Sequence, residues 1–255
     1  MRKGIHTKGH PTVSPTILIK LNKGLLESNN FQEIFAIDFA TLLYSIAPMV
    51  SADDIKLIKD SNSDGIIKRM KVSAKILSEY FTFTNLATLK KHPSDTVRGW
   101  VAFIIGTRKE LSLEQKLYEV KSLANDSHFA VREWSWLALR ESITQDIHSS
   151  IKLLLPWALS ETTNIRRFAI ESTRPRGVWS KHIPELKNFP KAGSSLLDTV
   201  MEDPSHYVQN SCGNWLNDAA KSNPEWVMEF CETWERRSKH PSTSKIIKRG
   251  LRNLL

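Results

Sequence analysis

The sequence predicts an all-α fold, a curved α-solenoid of HEAT-like helical repeats with a basic concave face. Three observations carry that prediction: apolar stripes at the helical period, the absence of sheet-like alternation, and a segment that recurs along the chain. Phe35, Phe39, Leu42, Leu43 and Ile46 follow one another at steps of three and four residues, which puts them on one side of a helix. Ten glycines and eleven prolines in 255 residues leave long stretches unbroken. No run alternates with period two for long enough to pair as a sheet.

Self-similarity decides the organisation. The segments SDTVRGWVAFII (94–105), HFAVREWSWLAL (128–139), TNIRRFAIEST (163–173) and HYVQNSCGNWL (206–216) each open on a polar cluster, then Val or Ile, then Arg or Gln, then a helical stripe. Their anchors Val97, Val131, Ile165 and Val208 lie 34, 34 and 43 residues apart. Second helices fit between them at Leu113–Leu123, Ile151–Leu159 and Leu196–Met201. Helix pairs at a near-fixed period form a solenoid, because no pair buries its apolar face alone. A step of 34 is also the tetratricopeptide period, but the Trp, Gly and Tyr positions of that repeat do not occur. The polar-Val-Arg opening and the longer step suit HEAT-type units. Residues 16–90 offer at least three further helices, and 243–255 a last, capping one. The expected organisation is a single repeat domain over 1–255, with 1–14 a loose basic lead-in.

Composition narrows the function. Lys and Arg number 36 against 27 Asp and Glu, a net charge of +9 that calls for a polyanionic partner. Two cysteines, Cys212 and Cys231, exclude a disulfide framework and a Cys-rich zinc module. The eight histidines lack metal-ligand spacing, no phosphate-binding Gly motif occurs, and neither cysteine has a neighbouring His pattern that would make it a nucleophile. No apolar run approaches the roughly 20 residues of a spanning helix, and the N-terminus has no secretory signal. A cytoplasmic protein without membrane contact is expected.

Positive charge concentrates in 166–191 and in the tail from 235, where an ordinary solvated helix face would mix signs. Arg98, Arg132 and Arg166 each follow a repeat anchor, so they either line up towards phosphates or form an inter-repeat ladder of ion pairs. Trp100, Trp134 and Phe168, three residues after the anchors, read as packing residues. In IRRFAIESTRPRGVW (165–179) a helix from Asn164 should stop at Arg174, because Pro175 removes a donor and restrains the preceding residue. Gly177 then permits a sharp turn into Trp179. Glu171 and Asp218 each flank a buried stripe, Glu171 beside Ile165, Ala169 and Ser172, Asp218 beside Cys212, Trp215, Leu216 and Ala219. As helix-surface ion pairs they would be unexceptional. As two carboxylates bordering one groove with Trp179, inside a basic cleft, they ask for a catalytic explanation.

The runs VREWSWLALR (131–140), IRRFAIESTRPRGVW (165–179) and YVQNSCGNWLNDAAKSNPEWVMEFCETW (207–234) resemble the HEAT-like-repeat DNA alkylation-repair glycosylases of the AlkC/AlkD superfamily, on the AlkC side. The opening 7–24 and FAIDFATLL (35–43) resemble the same family more loosely. The resemblance implies a solenoid that grips duplex DNA and hydrolyses the N-glycosidic bond of cationic N-alkylated bases such as 3-methyladenine. It implies no metal and no cofactor, and a monomer suffices to hold DNA. Some relatives append an immunoglobulin-like domain, which is not expected after the last helix of this chain. Glu171 and Asp218 would stabilise the developing sugar cation and position water, and Trp179 would pack on the lesion nucleotide. Glu133 is a third candidate, although its position on the helical wheel points away from the buried face. Arg166, Arg167, Arg174, Arg176, Lys181, Lys221 and Arg249 are the expected contacts to the DNA backbone. The competing reading is a non-catalytic HEAT-repeat scaffold that binds DNA or a protein.

Overall fold

A computed structural model describes residues 13–177 and 179–254. The expected lead-in lies outside these residues up to position 12. The described residues are all-helical, with no strand among them, and no helix is long and apolar enough to cross a membrane. The chain divides into two compact units, residues 1–100 and 101–255.

The first unit contains α1 (Pro15–Asn22), α2 (Phe31–Ala36), α3 (Phe39–Ile46), α4 (Ala52–Asp60), α5 (Ile66–Tyr80) and α6 (Phe83–Leu89). The stripe from Phe35 to Ile46 is not one helix. Ile37 is extended, and the Asp38 side chain accepts from the Ala40 amide at 3.0 Å, capping α3 and ending α2. Phe35 is consequently left 44% exposed, while Phe39, Leu42 and Leu43 are buried. Gly24 ends α1 in the left-handed region (φ 70°), where a side chain would be strained.

Helix α7 (Asp95–Thr107) carries the first repeat anchor, and the unit boundary falls within it. The second unit continues with α8 (Leu113–Ala124), α9 (Phe129–Gln145), α10 (Ile147–Ala158), α11 (Thr163–Ser172), α12 (Pro184–Asn188), α13 (Ser194–Thr199), α14 (His206–Ala220), α15 (Pro224–Arg237) and α16 (Pro241–Gly250). Helices α9, α11, α14 and α16 pack in succession, each against the next. The 43-residue step arises because a loop, the short α12 and a 3-10 turn at Pro190–Gly193 stand before α13. Trp100, Trp134 and Phe168 are all buried, as packing residues should be.

The polar opening of each repeat has one recurring construction. Ser94, His128, Thr162, Ser205 and His240 begin helices three residues before their anchor positions. Two residues earlier a side chain accepts the amide of the capping residue: His92 for Ser94 (3.0 Å), Asp126 for His128 (2.8 Å), Ser160 for Thr162 (3.2 Å), Asp203 for Ser205 (2.8 Å) and Ser238 for His240 (3.0 Å). The Arg or Gln after the anchor then reaches back to the loop carbonyls. Arg98 Nη1 donates to His92 O (2.7 Å) and Pro93 O (3.2 Å), and Arg132 Nη1 to Asp126 O and Ser127 O (both 2.7 Å). Arg166 Nη1 donates to Ser160 O (2.9 Å) and Glu161 O (2.8 Å), and Gln209 Nε2 to Asp203 O (2.8 Å). A buried carbonyl without a donor is costly, so this position serves the turn itself.

Candidate active site

Glu133, Glu171 and Asp218 stand two, six and ten residues after the anchors Val131, Ile165 and Val208. Steps of four keep a residue on one side of a helix. The three carboxylates therefore face a common side of α9, α11 and α14, each one turn further along than the last. Because these helices pack in succession, the acids form a diagonal row. Glu133, the third candidate, lies far from its own helix's core stripe and still faces the neighbouring helix, where it meets Arg167.

Arginines interleave with the acids. Glu133 Oε1 lies 2.6 Å from Arg167 Nη2, and Glu171 Oε2 lies 3.6 Å from the same nitrogen. Arg174 closes the row: Nη1 donates to Glu171 Oε1 at 2.7 Å, while Nε and Nη2 both reach Asp218 Oδ2, at 2.9 and 2.8 Å. Among the described residues Asp218 Oδ1 has one long contact, to Lys221 Nζ at 3.4 Å. The Glu171 and Asp218 side chains are only 6% and 5% exposed, whereas Glu133, which also accepts from Trp136 Nε1 at 2.8 Å, is 18% exposed. Burial is the largest influence on Glu171 and pushes its pKa up. The Arg167 and Arg174 cations, with hydrogen bonds from Ser211 and Arg174, outweigh it and hold the carboxyl below its ordinary value. Glu171 is therefore an anion at neutral pH and unsuited to act as a general acid.

The turn after α11 forms as its sequence dictates. The Thr173 and Arg174 amides reach back to Ile170 O and Glu171 O, both at 3.3 Å, before Pro175 ends the helix. Trp179 then adopts φ 59°, the only positive φ of a non-glycine among the described residues. Its indole stacks on buried Trp134 with ring centroids 6.2 Å apart and stays 44% exposed, the only exposed tryptophan among the described residues. Arg140, which sequence reasoning left without a role, donates from three nitrogens to carbonyls on both sides of this turn. Its only sequence signal was its place as the last residue of VREWSWLALR.

Three of the expected phosphate contacts are engaged in ion pairs within the protein. Arg167 is buried between Glu133 and Glu171. Arg174 uses Nε and both terminal nitrogens on the two acids. Arg166 grips Asp203 through Nε (2.6 Å) and Nη2 (3.1 Å) while Nη1 holds its own loop, which settles it as part of the inter-repeat ladder. The other four lie further out. Arg176 bonds to Asp218 O at 3.2 Å and to the Ser222 hydroxyl, and Arg249 Nε to Asn214 Oδ1 at 3.0 Å. Lys181, Lys221 and Arg249 are exposed, and Arg176 is half-buried. Arg252, missed in the sequence within a basic tail, is exposed and close enough to sense both Arg249 and Asp218. Burial pushes the Cys212 thiol up, and that of Cys231 to about 12, so neither is a ready nucleophile. Among the described residues no three His, Cys, Asp or Glu side chains group as metal ligands would.

Residues 138–249 match the model of a family described as DNA alkylation repair enzyme. That segment contains Glu171, Trp179 and Asp218 and stops short of Glu133. The uncharacterised protein YhaZ of Bacillus subtilis is 35% identical over 136 residues, which are 53% of this chain and 37% of that protein. Among solved structures the fold resembles the alkylpurine DNA glycosylase AlkC of Pseudomonas fluorescens, bound to DNA containing an abasic site analog. The TM-score is 0.67 and the identity 23%, with 85% of this chain and 60% of that one covered. AlkD2 from Streptococcus mutans is similar with a TM-score of 0.60 and 21% identity, over 78% of this chain and 96% of that one. The architecture is thus that of the AlkC/AlkD HEAT-like helical repeats, and the motif resemblance holds with it.

Proposed function

We propose, with the resemblance to AlkC/AlkD-type alkylation repair proteins as premise, that this protein hydrolyses the N-glycosidic bond of cationic N-alkylated bases in duplex DNA. The substrates are of the 3-methyladenine class, and the products are the free base and an abasic site without strand cleavage. The observation that carries this reading is the pair Glu171 and Asp218, brought from neighbouring repeats to one guanidinium, with Glu171 held ionised.

A base that already bears a positive charge leaves without being protonated, so the reaction needs no general acid. Its difficult moment is the build-up of positive charge on the sugar, which carboxylates stabilise. At an effective dielectric of about 20, a carboxylate about 4 Å from a full positive charge is worth about 4 kcal/mol. Asp218 Oδ1, with one long contact, is the oxygen free to orient the attacking water. The exposed face of Trp179 offers a cation–π surface to the charged base. Arg176, Lys181, Lys221 and Arg249 supply the phosphate contacts, with Arg166, Arg167 and Arg174 spent on internal bonds. No cofactor takes part, and one protomer suffices.

The decisive experiment incubates the protein with methylated duplex DNA and measures released base and abasic sites. Release of 3-methyladenine that falls by orders of magnitude in Glu171→Gln and Asp218→Asn, with DNA binding retained, is the expected result. The scaffold reading draws on the same ion row, since buried Arg–acid pairs between helices also serve to fix the register of neighbouring repeats. It predicts salt-sensitive DNA binding with no base released from any alkylated substrate.

A further inference from the structure

We propose that Arg140 is a positioning residue for this reaction, a clamp on the main chain that sets the turn carrying Arg174 and Trp179. The role in reaction rests on the function proposed above, whereas the clamp itself stands on geometry. Arg140 lies on α9 and is 4% exposed, yet it makes no ion pair among the described residues. Its donors go to three carbonyls instead: Nη1 to Ser172 O at 2.9 Å, Nη2 to Arg174 O at 2.6 Å and Nε to Lys181 O at 3.2 Å. One planar group thus ties the start of the turn to its end. The Ile183 amide closes the same turn onto Pro175 O at 3.0 Å.

A buried cation whose hydrogen bonds all go to carbonyls is an expensive device: burial, with the nearby Arg174 cation, pulls its pKa down to about 10 even though the Glu171 and Asp218 anions act to raise it and the Trp136 ring lies 5.9 Å from the guanidinium. Two features inside the turn explain what it achieves. The carbonyl of Arg174 is fixed, so its side chain leaves the backbone aimed at Glu171 and Asp218. Trp179 keeps a left-handed backbone, a conformation that persists only when the surroundings enforce it. Gly177 belongs to the same device. A Cβ there would stand 2.9 Å from Arg140 Cζ and 2.1 Å from Ser180 Oγ, so only glycine lets the chain pass the guanidinium. Lysine could not replace Arg140, because an ammonium is not a planar fork matched to three carbonyls.

The test uses two variants of the full chain: Arg140→Lys, and Gly177→Ala, which retains the arginine but crowds it. Hydrogen–deuterium exchange is read on peptides spanning 173–183, with peptides from α9 and α14 reporting global folding. Methylated-duplex affinity and single-turnover base release are measured alongside. The expected result is exchange in 173–183 accelerated at least about tenfold with α9 and α14 still protected. DNA affinity should stay near wild type while release slows on the order of a hundredfold, the penalty of a small misplacement. Unchanged exchange in both variants overturns the clamp. Loosened exchange with wild-type release overturns the positioning role. A wild-type protein that releases no base overturns the proposed function and the positioning role with it, while the exchange arm still decides the clamp.

Discussion

At the scale of the residue, the chemistry rests on carboxylates that must stay charged. Because the Glu171 pKa is held below its ordinary value, base release should be level from about pH 9 to pH 6 and decline only in acid, as protonation begins near the carboxylate range. A bell-shaped profile centred near neutrality would instead point to a general acid and remove this mechanism. The same depression links Glu171 to stability. Its contribution is fully present above the unfolded pKa of about 4.3 and is lost as pH falls through the lower folded value. Thermal melts should therefore be steady above about pH 5 and drop below it, with a shallower acid drop in Glu171→Gln. Arg174 offers a sharper contrast. Arg174→Met takes the shared partner from two buried carboxylates, leaving Glu171 to Arg167 and Asp218 to a long contact with Lys221, and should cost about 3–5 kcal/mol of unfolding free energy, whereas Arg176→Ala should cost under about 1 kcal/mol and weaken DNA binding instead. Glu171, Asp218 and Trp179 were legible as site candidates because their types are out of place in a basic motif. The partners of Arg167 and Arg174 were not legible, since a guanidinium reads alike in sequence whether it meets a phosphate or a carboxylate from another helix.

At the scale of the element, the repeat loops show where basic residues go when they are structural. Arg166 satisfies two carbonyls of its own loop and both oxygens of Asp203. Arg166→Ala should destabilise the protein by about 2–4 kcal/mol, seen in denaturant melts, with little change in DNA affinity. The substitution of Gln209 at the equivalent position, with the same carbonyl bond, explains why a neutral residue stands there. Helix packing is equally specific. A Cβ on Gly106 would lie 2.3 Å from Ala138 O, so Gly106→Ala must push α7 and α9 apart in that region and should lower the melting temperature, at a cost of about 1–3 kcal/mol. Element existence from Val97 onward could be read from period and spacing. The break at Ile37–Asp38 could not, because a capping aspartate decided it against a continuous apolar stripe. Nor could the short α12 within the long step, where proline and glycine signal a loop without saying how it closes.

At the scale of the whole molecule, the 36 Lys and Arg overstate the cations available to a polyanion, since several arginines are paired with acids internally, although such pairing leaves the net charge of +9 unchanged. The salt dependence of DNA binding is the appropriate measure. Alanine at Arg176, Lys181, Lys221 or Arg249 should each lower the slope of log affinity against log salt by about one unit. Arg166→Ala should leave that slope unchanged, and equal slopes for all five variants would refute this division of labour. One loop construction, repeated from Ser94 to His240, has a mechanical corollary as well. Turns that each hold their own carbonyls and lean on the next helix lose order one at a time rather than all together. Glu171 and its arginines sit on α11 and the turn after it, with α9 packed on one flank and α14 on the other. Loosening of a single distant turn thus stays local and leaves the row of alternating charges in place.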